Sequence, residues 1–215
     1  MTMRSYHWLR DDMTAGSGDE PAWTVGEQRT IEGELVLCRR GYHSSPTLYD
    51  GLEYAQGNVA CLVEIDTVFD SDDTAGRAKQ VSRARKLLAA VNVERELRLW
   101  GCDCAERALL RERERGREPD AHSWEAIAVT RRYADGHATK AELAAAGAAA
   151  WAAARAARDA AWDAAWAAAR DAAWDAARAA ARAAEIAWQR QRFDEVVTAR
   201  LLAQALAEGA VTVEV

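Results

Sequence analysis

Proline is nearly missing: the 215-residue chain has three, and none follows Pro119. The last 96 positions therefore contain no residue that must break a helix. Lysine is equally scarce, three residues against 25 arginines, and the formal net charge is -6. A nucleic-acid footprint needs clustered basic residues in excess, and no segment has them, which argues against DNA or RNA as partner. No stretch approaches 18 strongly apolar residues, because Arg or Asp recurs every few positions even in the alanine-rich half. That excludes a membrane-spanning helix. Met1-Thr-Met-Arg-Ser-Tyr6 carries no apolar signal core, and Cys38, Cys61, Cys102 and Cys104 form no C-x-x-C pair. A cytoplasmic chain with reduced thiols is the expectation.

Alanine is abundant instead. It fills 28 of the 44 positions from 141 to 184, and residues 158–181 are a twelve-residue unit, Arg-Asp-Ala-Ala-Trp-Asp-Ala-Ala-Trp-Ala-Ala-Ala, written twice with one change. Helix is the ordered state this composition favours, since alanine loses no side-chain entropy there. The simplest reading is one helix from Thr139 to Glu208, roughly 100 Å long at about 1.5 Å per residue, or a once-bent version of it. Trp162, Trp166, Arg170, Trp174 and Arg178 recur every four residues, so each step rotates about 40° and the large side chains spiral around the axis. Exposed indoles mark an interface, and Trp and Arg are enriched at binding hot spots. These five residues are the expected partner-binding set, facing another protein or a second copy of the chain.

The first 93 residues read differently, with 10 basic and 14 acidic side chains and regularly placed glycines. Trp23–Val25, Glu34–Cys38 and Val59–Ile65 are short β-prone runs, and Ser45-Pro46-Thr47 opens a helical segment through Ala55. Val81, Leu87, Leu88 and Val91 suit a strand or a short helix, the helix being preferred. From Val93, Leu97, Trp100, Cys104, Ala108 and Leu109 share one helical face, with a stop near Gly116. Asp120 starts a second helix that Asp135-Gly136 ends, and Thr139-Lys-Ala-Glu142 is a capping box. The fold class expected is α+β: a small mixed unit over 1–93, an all-helical bundle or long alanine-rich helix over 94–208, and a tail over 209–215.

Chemistry is sparse. On a helix Cys102 and Cys104 point about 200° apart and cannot share a metal, so buried free cysteines and no metal or other cofactor are expected. The four histidines stand beside no nucleophile motif, so no catalytic residue is assigned. Gly41-Tyr42-His43-Ser44-Ser45-Pro46 through Tyr54-Ala55 resembles the nicotinamide-pocket segment of ADP-ribosyltransferases. That resemblance implies nucleotide binding by His43 and Tyr54, with Glu64 on the following strand as a carboxylate.

Glu96-Leu-Arg-Leu-Trp100-Gly-Cys-Asp-Cys104-Ala-Glu-Arg-Ala-Leu109, followed by Trp124-Glu-Ala-Ile127, Arg131-Arg-Tyr-Ala-Asp-Gly136 and the alanine helix, resembles an immunity-protein family of bacterial toxin systems over residues 94–208. Leu37-Cys38 and Gly41-Tyr-His43 resemble an uncharacterised domain of bacteria and phages. The first resemblance implies non-catalytic binding of a protein, as an immunity protein or a phage anti-defence factor. A nucleotide-binding or degenerate ADP-ribosyltransferase-like first domain is the alternative, and a structural homo-oligomer a further one.

Overall fold

The computed structural model of the chain describes residues 2–16, 20–74, 77–150, 152 and 172–211, with the backbone alone for 172–181. The chain is α+β and divides into two units, Met1–Glu94 with Phe193–Val215, and Arg95–Arg192.

The first unit is built on two antiparallel sheets. β1 (Met3–Leu9), β2 (Gln28–Thr30), β4 (Val59–Ile65) and β7 (Ala84–Asn92) form a sheet in the order β1-β4-β7-β2. β3 (Tyr42–Ser44), β5 (Asp70–Asp72) and β6 (Lys79–Ser82) form the other, in the order β3-β6-β5. Only Arg83 separates β6 from β7, so the chain changes sheets at one residue. Arg83 Nη1 secures this corner by donating to the carbonyls of Ile31 and Gly33, each at 3.0 Å. A bridge between Tyr6 and Ser45 ties the start of the first sheet to the end of β3.

β4 is buried at every position from Val59 to Val63 and again at Ile65, which requires cover on both faces of the sheet. On one face Val59, Cys61, Val63 and Ile65 join Leu9, Trp23, Tyr42 and Leu87 in a core. The other face is covered from the far end of the chain. Phe193 closes α5 (Ala172–Phe193), a π-helical turn runs over Asp194–Thr198, and α6 (Ala199–Ala207) packs against β4 and β7. Phe193, Val197, Leu201 and Ala205 are all fully buried. A strict four-residue stripe drifts by about 40° per step on an α-helix. The wider π turn runs the other way, so it offsets the drift and keeps the stripe on one side. Ala60 and Ala89, both fully buried, present little bulk to it.

Several sequence expectations differ from these elements. The segment from Val81 to Val91 is strand, not helix. In β7 Arg85, Leu87 and Ala89 are buried in alternation, and an arginine in the buried register hides the period of two. Trp23–Val25 is not a strand; Trp23 sits in a connection, buried against arginines. Glu34–Cys38 is a turn closed by a bridge between Val36 and Arg40. The helix expected from Ser45 to Ala55 shortens to α1 (Leu48–Gly51), capped by Thr47, and a 3-10 turn over Leu52–Tyr54. Residues from Phe193 onward fall with the first unit, although the helical part was expected to extend to 208.

In the second unit α2 (Glu94–Glu114) packs against α3 (Ala121–Ala134) and α5. Cys102 Sγ lies 3.8 Å from the Ile127 carbonyl, and Trp100 Nε1 donates to the Gln189 carbonyl at 3.0 Å. Asp103 receives Arg131 at 2.9 Å and Arg192 at 2.8 Å. Glu185 receives Arg107 at 3.1 Å and also Arg111. Helix α4 is present at 140–150 and at 152. Its capping box is reciprocal: the Thr139 N–H donates to Glu142 at 2.7 Å and the Glu142 N–H to Thr139 Oγ1 at 3.2 Å.

Candidate ligand cleft of the first unit

A cleft of about 710 Å³ opens in the first unit. Its walls come from β1, the turn before β3, β3 itself, the end of the short helix, β6 and β7. The turn depends on glycine. Gly41 has φ +128°, and a Cβ there would stand 2.4 Å from Val81 Cγ2, so any side chain would push β3 off β6. Just before it, Cys38 holds φ +66°, a conformation that costs a non-glycine residue energy and must be held by its surroundings.

His43 supplies that brace. Its Nε2 accepts the Cys38 backbone N–H at 2.8 Å. Burial lowers its pKa, with help from the charges of Lys79 and Arg85. The imidazole is therefore neutral, with one nitrogen engaged by the turn. Beyond it the Cys38 thiol lies 3.6 Å from Lys79 Nζ. That ammonium sits 3.5 Å over the Tyr54 ring, and Tyr54 donates its hydroxyl to the Arg77 carbonyl at 2.8 Å.

Deeper in the cleft is Arg85, 3% exposed. Its guanidinium lies 4.5 Å from the Trp23 ring and 5.0 Å from the Tyr42 ring. Nη1 donates to the His43 carbonyl at 3.0 Å. The Glu20 carboxylate is 3.8 Å from Nη2, beyond hydrogen-bond range. Burial lowers the Arg85 pKa to about 10, so it stays charged at neutral pH. His7 lies nearby on β1, its Nε2 buried without a hydrogen-bond partner. Burial, then Arg85 and His43, hold its pKa well below the usual histidine value.

Around this floor, among the described residues, the cleft is lined by four cations, Arg39, Arg40, Lys79 and Arg85, and two carboxylates, Glu20 and Glu53. Tyr42 and Tyr54 add aromatic surface. Such a site is suited to a small, negatively charged molecule with a flat portion.

Of the ligand residues expected from sequence, His43 and Tyr54 line the cleft and Glu64 does not. Glu64 alternates with Val63 and Ile65, which belong to the core on the other face of β4, and it pairs across to Arg4 and Lys86. Trp162, Trp166 and Arg170 lie outside the described residues. Trp174 and Arg178 belong to α5, with their side chains outside the description. His7, Lys79 and Arg85 escaped the sequence reading. The alternation of Arg85 with Leu87 and Ala89 was the usable signal.

The second unit has a shallower groove of about 410 Å³ beside Leu110 and Trp188, where Arg107 stacks 4.3 Å from the Trp188 ring. Among the described residues no three His, Cys, Asp or Glu side chains are grouped to hold a metal ion. Among them, too, no helix is long and apolar enough to cross a membrane. Cys61 and Cys102 are buried, Cys104 is half-buried and Cys38 is exposed, all as free thiols.

Residues 3–98 match a family described as a domain of unknown function, DUF7666. No curated protein matches the chain, and no solved structure does.

Proposed function

We propose that the protein works by binding rather than by catalysis, and that the cleft of the first unit takes a small anionic ligand of the nucleotide class. The observation that carries this reading is the cleft's lining, four cations to two carboxylates with Tyr42 and Tyr54 alongside. Phosphate is recognised by arginine forks and lysine charge, and a base by an aromatic face. The state of His43 favours binding over chemistry, because it is neutral and its Nε2 is occupied by the Cys38 N–H. Thermal unfolding in the presence of AMP, NAD or adenosine tests the reading. The two phosphate-bearing molecules should raise the melting temperature in proportion to the logarithm of their concentration, and adenosine should raise it less. A melting temperature indifferent to all three at millimolar concentration contradicts it.

A second reading, a protein partner of the immunity or anti-defence kind, draws support from the second unit. Leu110 and Ile186 are each more than 40% exposed, and Leu110 shares its groove with the Arg107–Trp188 stack. Under this reading Trp162, Trp166, Arg170, Trp174 and Arg178 remain the partner-binding set that the sequence suggests. Capture of a cognate toxin that is lost in a Leu110→Asp, Trp188→Ala variant supports it, and undiminished capture refutes it. A sedimentation coefficient that rises with concentration would instead favour self-association.

A further inference from the structure

Two nitrogen groups stand in the floor of the first unit's cleft, one loosely paired and one with no hydrogen-bond partner among the described residues. Arg85 is nearly fully buried, yet it spends Nη1 on a neutral carbonyl, and the Glu20 carboxylate approaches Nη2 no closer than 3.8 Å. A buried cation paired this loosely recovers only part of its desolvation cost. His7 Nε2 is buried with no hydrogen-bond partner among the described residues, and an orphaned polar atom in an interior is rare enough to need a cause. The His43 carbonyl that accepts Arg85 at 3.0 Å also acts on the His7 ring, favouring its charged form.

We propose that this floor seats the phosphate group of a phosphate monoester, held by the free N–H groups of Arg85 and by His7 Nε2–H, with His7 taking up a proton as the ligand binds. The proposal rests on reading the cleft as a small-anion site and adds the recognition group and the linked proton. An isolated sulfate-sized anion would fill only a small part of 710 Å³. The remaining space leads past Tyr42 toward Lys79 and Tyr54, where the rest of the ester would lie.

The proton follows from the donor count. In the neutral tautomer that carries its proton on Nδ1, His7 Nε2 has only a lone pair, and a phosphate oxygen cannot accept from a lone pair. In the free protein Arg85 and burial oppose a second positive charge. A dianion between them reverses that balance. The other titratable groups around His7 do not compete in the neutral range. Its cross-strand partner Cys61 is held as a thiol, with its pKa pushed up to about 12. Tyr42 on β3 is pushed up by burial, and His43 is held neutral. Glu20, Glu53, Arg39, Arg40 and Lys79 are the other charged groups on the described cleft walls.

Calorimetric titration of the full chain with AMP, ribose 5-phosphate and sulfate, in buffers of differing ionisation heat at pH 7.5, tests this. About one proton should be taken up per AMP bound, and the AMP affinity should fall about tenfold for each pH unit above 7. Sulfate does not titrate in this range, so uptake on its binding belongs to the protein. Ribose 5-phosphate binding as tightly as AMP would place the recognition on phosphate alone, and tighter AMP binding would add a stacked base; both outcomes support the seat. In His7→Gln the proton uptake should vanish, and in Arg85→Lys the affinity should drop at least about tenfold, with unchanged circular dichroism. AMP binding without proton exchange in the native protein overturns the inference and leaves the cleft reading standing, even if a variant fails to fold. Failure of all three anions to bind overturns both.

Discussion

Mild acid should destabilise the first unit through His7. In the folded protein burial and Arg85 keep this ring neutral, whereas the unfolded chain takes up a proton near pH 6.5. The folded pKa is depressed, so below pH 6.5 the unfolded state binds a proton that the native state refuses. Stability therefore falls as pH falls. The slope for one histidine reaches about 1.4 kcal/mol per pH unit, which integrates to about 1.5–2 kcal/mol between pH 6.5 and 5. His43 contributes with the same sign and a smaller size, since it is only partly buried. Carboxylates act lower on the scale. Glu27 is held low by Arg29 and the Thr24 N–H, and Asp72 by Thr74, so their contributions are lost only as pH falls through the ordinary carboxylate range. Urea unfolding followed by tryptophan fluorescence at pH 7, 6 and 5 reads the effect directly. The midpoint should move to lower urea across this window, and His7→Gln should flatten most of the dependence. A midpoint constant from pH 7 to 5, or an unchanged slope in His7→Gln, refutes a buried neutral His7.

Phe193 is fully buried and meets Tyr49 edge-to-face at 5.3 Å, so Phe193→Ala should cost the first unit about 3–5 kcal/mol in urea unfolding. Leu202→Ala, at a 37% exposed position on α6, should cost under about 1 kcal/mol, and equal costs would contradict the docking of this segment. Ellman's reagent should label Cys38 rapidly in the native protein and Cys61 only after denaturation. Cys61 is inaccessible and its thiol is pushed up to about 12; fast native labelling that persists in Cys38→Ser would refute this. Gly41→Ala should lower the melting temperature and weaken AMP binding together, because the added Cβ meets Val81 at 2.4 Å in a left-handed backbone; an unaffected variant would mean that the turn does not shape the cleft.

The helical elements were the legible part of the sequence, because their signals are local. Thr139 and Glu142 form the reciprocal cap their spacing foretells. Asp120 caps α3 through the His122 N–H, and Gly116 and Gly136 take the left-handed φ that ends a helix. The strands were harder, since their pattern depends on what each face meets. Arg85 occupies a core register because Trp23, Tyr42 and the His43 carbonyl, 42 to 62 positions earlier in the chain, surround its guanidinium. No local window contains those partners. The same distance hid the docking of Val197, Leu201 and Ala205, whose stripe resembles any amphipathic helix until β4 and β7 are found to need a cover. Two of the three expected ligand residues were readable, His43 and Tyr54 in a strand-turn-helix segment. Glu64 was not excluded beforehand, because its side of β4 follows from strand register and not from proximity in sequence.

If Arg85 and His7 form an anion seat, the Arg85 Nε–H resonance reports its occupation. Nitrogen-15 spectra recorded during an AMP titration should move this signal downfield with saturation, in step with a change in the His7 ring nitrogens toward the imidazolium pattern. Saturation of AMP binding with both signals unmoved would contradict the account.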